Sequence, residues 1–191
     1  MRTRDNSGRI SRPLFAFSAV VIGLAIALLL QLLVVQVYRV PSGSMRPTLA
    51  PGDRVLVDKF TGARRAWRRG DIVVFDATDV WTPELNGVLV VKRIIGLPGD
   101  HVSCCDREGR LVRNGVHLPE RFTLPAVRPR HFDVVVPPGR LWVMGDDRGV
   151  SLDSSAYAFL PDGGSVPVND VVGRAVAVVW PLDRAGILGT P

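Results

Sequence analysis

The pattern of apolar and polar positions changes character once along the chain, near residue 38. From Leu14 to Val37 the sequence LFAFSAVVIGLAIALLLQLLVVQV carries no charge. At 1.5 Å per residue a helix of that length spans about 36 Å, enough for the hydrocarbon core of a bilayer. Residues 14–37 are therefore expected to form a transmembrane helix. Beyond Tyr38 the apolar runs are short and rich in Val: RVLVDKF, DIVVFD, GVLVVKRII, FDVVVP, LWVM and DVVGRAVAVVW. Runs of this length and composition predict strands, and the PGD at Pro51–Asp53, LPGD at Leu97–Asp100 and PPG at Pro137–Gly139 predict the turns between them. Strands do not alternate with helical segments, so the body at 38–191 is expected to be a mostly β, antiparallel sheet domain. Between His101 and Pro138 the pattern loosens. An Asn114-Gly115 pair there predicts a hairpin, and 101–138 reads as a small inserted subdomain.

Length and charge refine this division. A chain of 191 residues supports one catalytic-sized body plus an anchor. AVAVVW at Ala175–Trp180 is too short to span and reads as a core strand, which leaves a single pass. Arg2, Arg4, Arg9 and Arg12, opposed only by Asp5, precede the helix, so the positive-inside rule places 1–13 in the cytoplasm and the body outside. A cleaved signal peptide has a shorter apolar core ending at a small-x-small site, whereas YRVPSGS follows here. The net charge of +6 is carried by scattered arginines, with no basic stripe, so nucleic acid is not an expected partner.

Three features of composition bear on chemistry. Of 24 Lys and Arg residues only Lys59 and Lys92 are lysines. Arginine is permanently protonated while a buried lysine can lose its proton, so a site needing a nitrogen base has to use Lys. Cys104 and Cys105 are adjacent, which excludes a disulfide framework. Adjacent Cα atoms lie about 3.8 Å apart, shorter than the usual disulfide span, and a vicinal bond and two free thiols both remain open. His101, Cys104, Cys105 and Asp106 lack a second ligand cluster to complete a tetrahedral set, so neither a metal nor another cofactor is expected.

Three segments carry candidate chemistry. PSGSMRPTL at Pro41–Leu49 follows the anchor directly, its prolines and small residues holding Ser42 and Ser44 in an extended, constrained segment. Lys92 sits in GVLVVKRIIGLPGD, flanked by Val and Ile in a strand expected to be buried. Desolvation there lowers the lysine pKa, and a value near 8 corresponds to a cost of roughly 3 kcal/mol. A neutral amine can take a serine proton. The third segment, VMGDDRGVSLDSS at Val143–Ser155, is a polar loop that gathers Asp146, Asp147, Arg148, Ser151 and Asp153.

PSGSMRPTL, GDRVLVDKF, VVKRIIGLPGD and GDDRGVSLDSS, in that order behind an N-terminal anchor, resemble the motif series of bacterial type I signal peptidases, the Ser/Lys dyad serine proteases of the leader peptidase family. The resemblance covers most of the chain outside the insertion. It implies a serine endopeptidase with Ser44 as nucleophile, Lys92 as general base, and an oxyanion hole made by the Ser42 hydroxyl and the Ser44 N–H. It implies that Ser151 hydrogen-bonds and orients Lys92, and that Asp146, Arg148 and Asp153 brace the loop carrying Ser151. It implies a substrate bound as an added strand, with Val40, Pro41, Met45, Leu89, Val90 and Val91 lining shallow pockets for small side chains, Ala-x-Ala. Its implied partners are exported preproteins with their signal peptides, membrane lipid and the protein translocation machinery. The family commonly has Asn at position 147, acidic or polar residues at 149 and 150, and Arg at 155, where this chain has Asp147, Gly149, Val150 and Ser155.

Ser44 lies seven positions after Val37, at most about 25 Å when extended, so a nucleophile at Ser44 is expected close to the outer membrane face. Tyr38, Phe60, Trp67 and Trp81 are candidates to rest on lipid, with buried packing as the alternative. Three rival readings differ in kind. A repressor-type self-cleaving Ser/Lys protease would be soluble and carry a DNA-binding domain. A single-pass envelope protein would bind peptide or lipid with its β domain and cut nothing. A Ser/His/Asp hydrolase would draw on His101, His117 or His131, yet no G-x-S-x-G elbow is present, and all three are expected at the surface or in the insertion.

Overall fold

The computed structural model describes residues 12–60, 66–78, 80–81, 87–120, 122–124 and 130–189, with the side chains of α1 described over 15–26 and at 34. The chain divides into two compact units, Met1–Val35 and Gln36–Pro191. In the first, α1 runs over Arg12–Val34. The apolar side chains of α1 over 15–26, among them Phe15, Phe17, Leu24 and Ile26, are exposed. Among the described residues no helix is long and apolar enough to cross a membrane. Residues 1–11, including Arg2, Arg4, Asp5 and Arg9 of the expected cytoplasmic segment, lie outside the described residues. The helix ends three residues earlier than its hydrophobicity suggested. Val35–Arg39 forms strand β1 instead, because these residues pair with a neighbouring strand. Hydrophobicity alone does not separate a helix end from a strand made of the same β-branched residues.

The body, residues 36–191, is built on an eight-stranded sheet. Its members in chain order are β1, β2 (Arg54–Asp58), β3 (Ile72–Asp76), β4 (Leu89–Gly96), β9 (Arg140–Met144), β10 (Val166–Pro167), β11 (Val171–Trp180) and β12 (Gly186–Ile187). The spatial order is β1-β2-β11-β3-β4-β9-β10, with β12 paired to β11. Pairing is antiparallel in every registered ladder, as the turn spacing predicts. All six Val-rich runs contain a strand. β11 is the long central element expected from AVAVVW, although it ends on an exposed Trp180.

Residues 101–138 form a second, four-stranded sheet in the order β7-β6-β5-β8, made of β5 (His101–Cys104), β6 (Val112–Arg113), β7 (Val116–His117) and β8 (Phe132–Val135). It leaves the main sheet after β4 and returns at β9, and those two strands are neighbours. The Asn114-Gly115 turn joins β6 to β7 with both φ angles positive, 52° and 77°, the left-handed pair that Asn-Gly accommodates. Cys104 and Cys105 are joined in a disulfide, which resolves the alternative the sequence left open. Their sulfurs are bonded to each other and are not available as thiolate ligands.

Alternation along the strands sorts the interior into distinct clusters. Val40, Met45, Leu49, Val55, Val57, Ile72, Val74 and Val91 pack together, while Val73, Phe75, Trp81, Ile94, Val143 and Val166 form a second cluster. A third, with Ile95, Val102, Phe132 and Trp142, joins the small sheet to the large one. Trp81 lies in the second cluster, stacked on Tyr157 with its indole N–H donated to the Gly164 carbonyl, which is core packing and not a lipid contact. Tyr38 packs half-buried against the first cluster and Trp67 against the second.

Candidate active site

The site forms where three segments of the body meet at β4. Lys92 is on β4 opposite Val73, and Arg93 is opposite Ile72. Because neighbouring residues of a strand point to opposite faces, two consecutive cations are sent in opposite directions. Both are buried, with 3% and 2% exposure. Ser44 comes from the segment after β1, where Gly43–Met45 makes one 3-10 turn. The extended conformation expected across Ser42–Ser44 therefore holds at Ser42, with φ −135° and ψ 166°, but not at Ser44. The turn closes because the Arg46 N–H reaches the Gly43 carbonyl.

Lys92 Nζ donates to Ser44 Oγ at 2.8 Å, and the Ser42 hydroxyl donates to the same oxygen at 3.2 Å. Burial pushes the Lys92 pKa from 10.5 down to about 8, against the partial pull of Asp153 and Asp146. Neither carboxylate is hydrogen-bonded to the amine. Lys92 thus meets the cost of desolvation without the ion pair that usually offsets it.

Arg93 has the opposite arrangement. Its guanidinium donates to both oxygens of Asp146, Nε at 2.8 Å and Nη2 at 2.6 Å, and to the Gly70 carbonyl at 2.9 Å. Thr48, from the Ser44 segment, donates to Asp146 at 2.5 Å and accepts from Arg93 at 3.2 Å. The Phe122 ring lies 4.2 Å from the guanidinium carbon. Sequence reasoning missed Arg93 and Thr48. The available signal was a second cation beside Lys92 in a strand with no polar face.

The loop after β9 closes the site. Its Asp147 N–H donates to the Ser44 carbonyl at 3.0 Å, and Gly145 lies against the same group. A Cβ on Gly145 would stand 2.4 Å from the Ser44 carbonyl oxygen and 2.3 Å from Ser151 Oγ, so only glycine allows the approach. Asp153, 1% exposed, accepts from the Gly145 N–H at 2.9 Å, the Ser155 N–H at 3.1 Å and the Ser155 hydroxyl at 2.6 Å. Arg148 donates to the Gly145 carbonyl at 2.9 Å and pairs with Glu120 of the insertion. Leu124 of the insertion exchanges backbone hydrogen bonds with Asp146 and Arg148 at 2.8 and 3.1 Å. Ser151 Oγ is fully buried and has no hydrogen-bond partner among the described residues. The expected hydrogen bond from Ser151 to Lys92 is therefore not formed in this structure.

The six residues expected to line substrate pockets differ in burial. Val40, Met45 and Val91 are packed inside the first cluster and offer almost no surface. Leu89 and Val90 are half-buried and Pro41 is exposed. Along β4, pairing with β3 covers Leu89–Arg93, whereas registered pairing with β9 begins only at Arg93. The stretch Leu89–Val91 is thus laddered on one edge. His101, His117 and His131 are all exposed, and His101 and His117 contact acidic residues of the insertion.

The family described as signal peptidase, peptidase S26, matches residues 14–180. The chain belongs to the signal peptidase family. It is 37% identical over 175 residues to the signal peptidase I of Leptolyngbya laminosa, covering 89% of this chain and 82% of that one. It is 34% identical over 199 residues to the signal peptidase I of Mycobacterium tuberculosis, covering 79% and 67%. Among solved structures it is similar to a signal peptidase I from Enterococcus faecalis at 30% identity, covering 58% of this chain with a TM-score of 0.44. Family membership makes the chain a peptidase of the signal peptidase class.

Proposed function

We propose that the chain is an endopeptidase that removes signal peptides from exported preproteins after a small-x-small site, with Ser44 as nucleophile and Lys92 as general base. The observation that carries the reading is the 2.8 Å contact between Lys92 Nζ and Ser44 Oγ, made where burial brings the amine to about 8. At neutral pH a useful fraction of such an amine is unprotonated and accepts the Ser44 proton. Ser44 Oγ then bonds to the scissile carbonyl carbon, and negative charge collects on the carbonyl oxygen. The Ser42 hydroxyl, one rotation away from its contact with Ser44, and the Ser44 N–H receive that charge. Collapse expels the amine of the mature protein, which takes its proton from the Lys92 ammonium. Water then attacks the acyl ester, giving a proton to the same lysine, which passes it to the departing Ser44 Oγ as the signal peptide leaves with a free carboxyl end.

The open edge of β4 at Leu89–Val91, immediately before Lys92, suits a substrate that adds as a strand. Asp146, Arg148 and Asp153 act here as braces, since each fixes backbone or a partner cation and none touches the reacting atoms. The anchor reading belongs to the same proposal. The uncharged run 14–37 crosses the cytoplasmic membrane once, with the N-terminus inside and the body outside. A preprotein held by its own apolar signal helix, beside lipid and the translocation machinery, is then confined to the interface that Ser44 faces.

The test is cleavage of a preprotein by the purified full-length chain in detergent. Cleavage after Ala-x-Ala, lost in Ser44→Ala, Lys92→Ala and the charge-conserving Lys92→Arg, is the expected result. Full activity in any of the three removes the dyad. Binding of the same preprotein without cleavage by the unmodified chain favours the peptide-binding reading.

A further inference from the structure

The Ser44–Lys92 reading leaves one guanidinium of the insertion unexplained. Arg130, two residues before β8, donates from Nη1 to the Ser151 carbonyl at 3.0 Å and lies 3.4 Å from Ser155 Oγ. Both targets belong to the loop that closes on Ser44. From Ser155 the contacts continue inward. The Ser155 hydroxyl donates to Asp153, and the other Asp153 oxygen accepts the Gly145 N–H. Gly145 in turn is packed against the Ser44 carbonyl and Ser151 Oγ with no room for a single added carbon. A shift of Asp153 is thereby passed to the nucleophile segment.

The lateral position of this chain of contacts accounts for its source. Arg130 and Ser155 both line a cavity of about 300 Å³ between the small sheet and the loop, with Phe132, Met144 and Arg148 on its other walls. Ser155 is too short to carry a charge into that space, and the Arg130 guanidinium reaches its hydroxyl instead.

We propose that Arg130 is a positioning residue for the Ser44–Lys92 pair, holding from the insertion, through Ser155 and Asp153, the loop that closes on Ser44. It touches neither substrate nor reacting atoms. It holds the Ser151 carbonyl and, through the Ser155 hydroxyl, the carboxylate that fixes Gly145. The inference rests on the dyad reading and adds to it a residue 38 positions away from Lys92 in sequence. A further consequence concerns the insertion, which in this account has a role in setting the loop and is more than a spacer between β4 and β9.

The experiment compares cleavage of a preprotein by the full-length chain carrying Arg130→Ala, Arg130→Lys, and Arg130→Ala combined with Ser155→Arg. Loss of the guanidinium is expected to lower kcat about tenfold with KM within twofold, a modest misplacement of the reacting groups. Lys at 130 keeps one donor for the Ser151 carbonyl and should recover a third or more of the rate. Arg at 155 has the cavity to occupy and should restore the rate from the other wall. A change in the amount of folded enzyme scales the rate but leaves its pH midpoint where it was. A loosened loop admits water to Lys92, whose facing carboxylates are Asp153 and Asp146, and should move the midpoint of the alkaline rise upward by half a unit or more. The inference is overturned if Arg130→Ala keeps the normal rate and midpoint, or if it loses rate with an unmoved midpoint that neither Lys at 130 nor Arg at 155 restores. Ser44→Ala and Lys92→Ala run alongside separate the two levels. Active dyad variants sink the dyad reading itself, whereas inactive dyad variants beside an unaffected Arg130→Ala sink only the role of Arg130.

Discussion

Lys92 and Arg93 are consecutive on one strand, equally buried, and on opposite faces of the sheet, yet their environments have little in common. Arg93 is answered by a bidentate carboxylate, a carbonyl, a hydroxyl and an aromatic face. Lys92 is answered by a serine hydroxyl alone, with Asp153 and Asp146 near enough to attract its charge but not bonded to it. Burial with a partner makes a cation a structural clamp. Burial without one makes it a base. The choice of residue follows the same division, since an arginine on the Lys92 face would stay protonated and a lysine on the Arg93 face could not grip both oxygens of Asp146.

The comparison breaks most visibly at Asp146. Asp146→Ala leaves the Arg93 guanidinium buried and unpaired, and is expected to cost about 3–5 kcal/mol. For a chain of this size that lowers the thermal midpoint by about 10 °C, measured by calorimetry or circular dichroism. Unchanged stability would mean that the clamp holds nothing. Next in size, Gly145→Ala drives a methyl group into the Ser44 carbonyl and Ser151 Oγ. Cleavage should fall about 100-fold, with stability reduced less than in Asp146→Ala.

The smallest effect has the opposite sign. With a folded pKa of about 8 against 10.5 for the ordinary group, Lys92 destabilises the fold wherever it is protonated. The cost is complete below pH 8, shrinks as pH rises from 8 towards 10.5, and is absent above that range. Lys92→Met should therefore be inactive but more stable at pH 7, by about 2 kcal/mol after loss of the hydrogen bond to Ser44. By pH 10 the advantage over the unmodified chain should largely vanish. Denaturant titrations at the two pH values measure it, and a variant less stable at pH 7 would place Lys92 with Arg93 among the clamps.

Much of the fold was legible before any coordinates. Short Val-rich runs, with Gly and Pro between them, pointed to each long strand, and Asn114-Gly115 to the β6–β7 turn. The end of the helix was not legible, because Val35–Val37 suits a helix and a strand equally and only pairing with β2 decides. In the site, chemistry singled out Lys92, a lysine in an apolar strand of a chain that otherwise uses arginine, and the constrained segment carrying Ser42 and Ser44, while the choice of Ser44 between the two serines came from the motif resemblance. Pairings across long sequence separations were hidden. Nothing local in the sequence says that Arg93 meets Asp146, that Arg130 reaches Ser151, or that Gly145 must be bare. Val40, Met45 and Val91 were expected beside the substrate from the resemblance, and in the folded chain their side chains pack in the first cluster, a burial that sequence position beside Ser44 and Lys92 does not reveal.

The central claim is that Lys92 acts as a neutral amine. The most direct measurement is the rate of preprotein cleavage by the full-length chain as a function of pH. The account predicts a rate that climbs about tenfold per pH unit at low pH and levels off with a midpoint near 8, the value burial imposes on Lys92. A profile that is flat from pH 6 to 9, or centred near the histidine value of about 6.5, would contradict it.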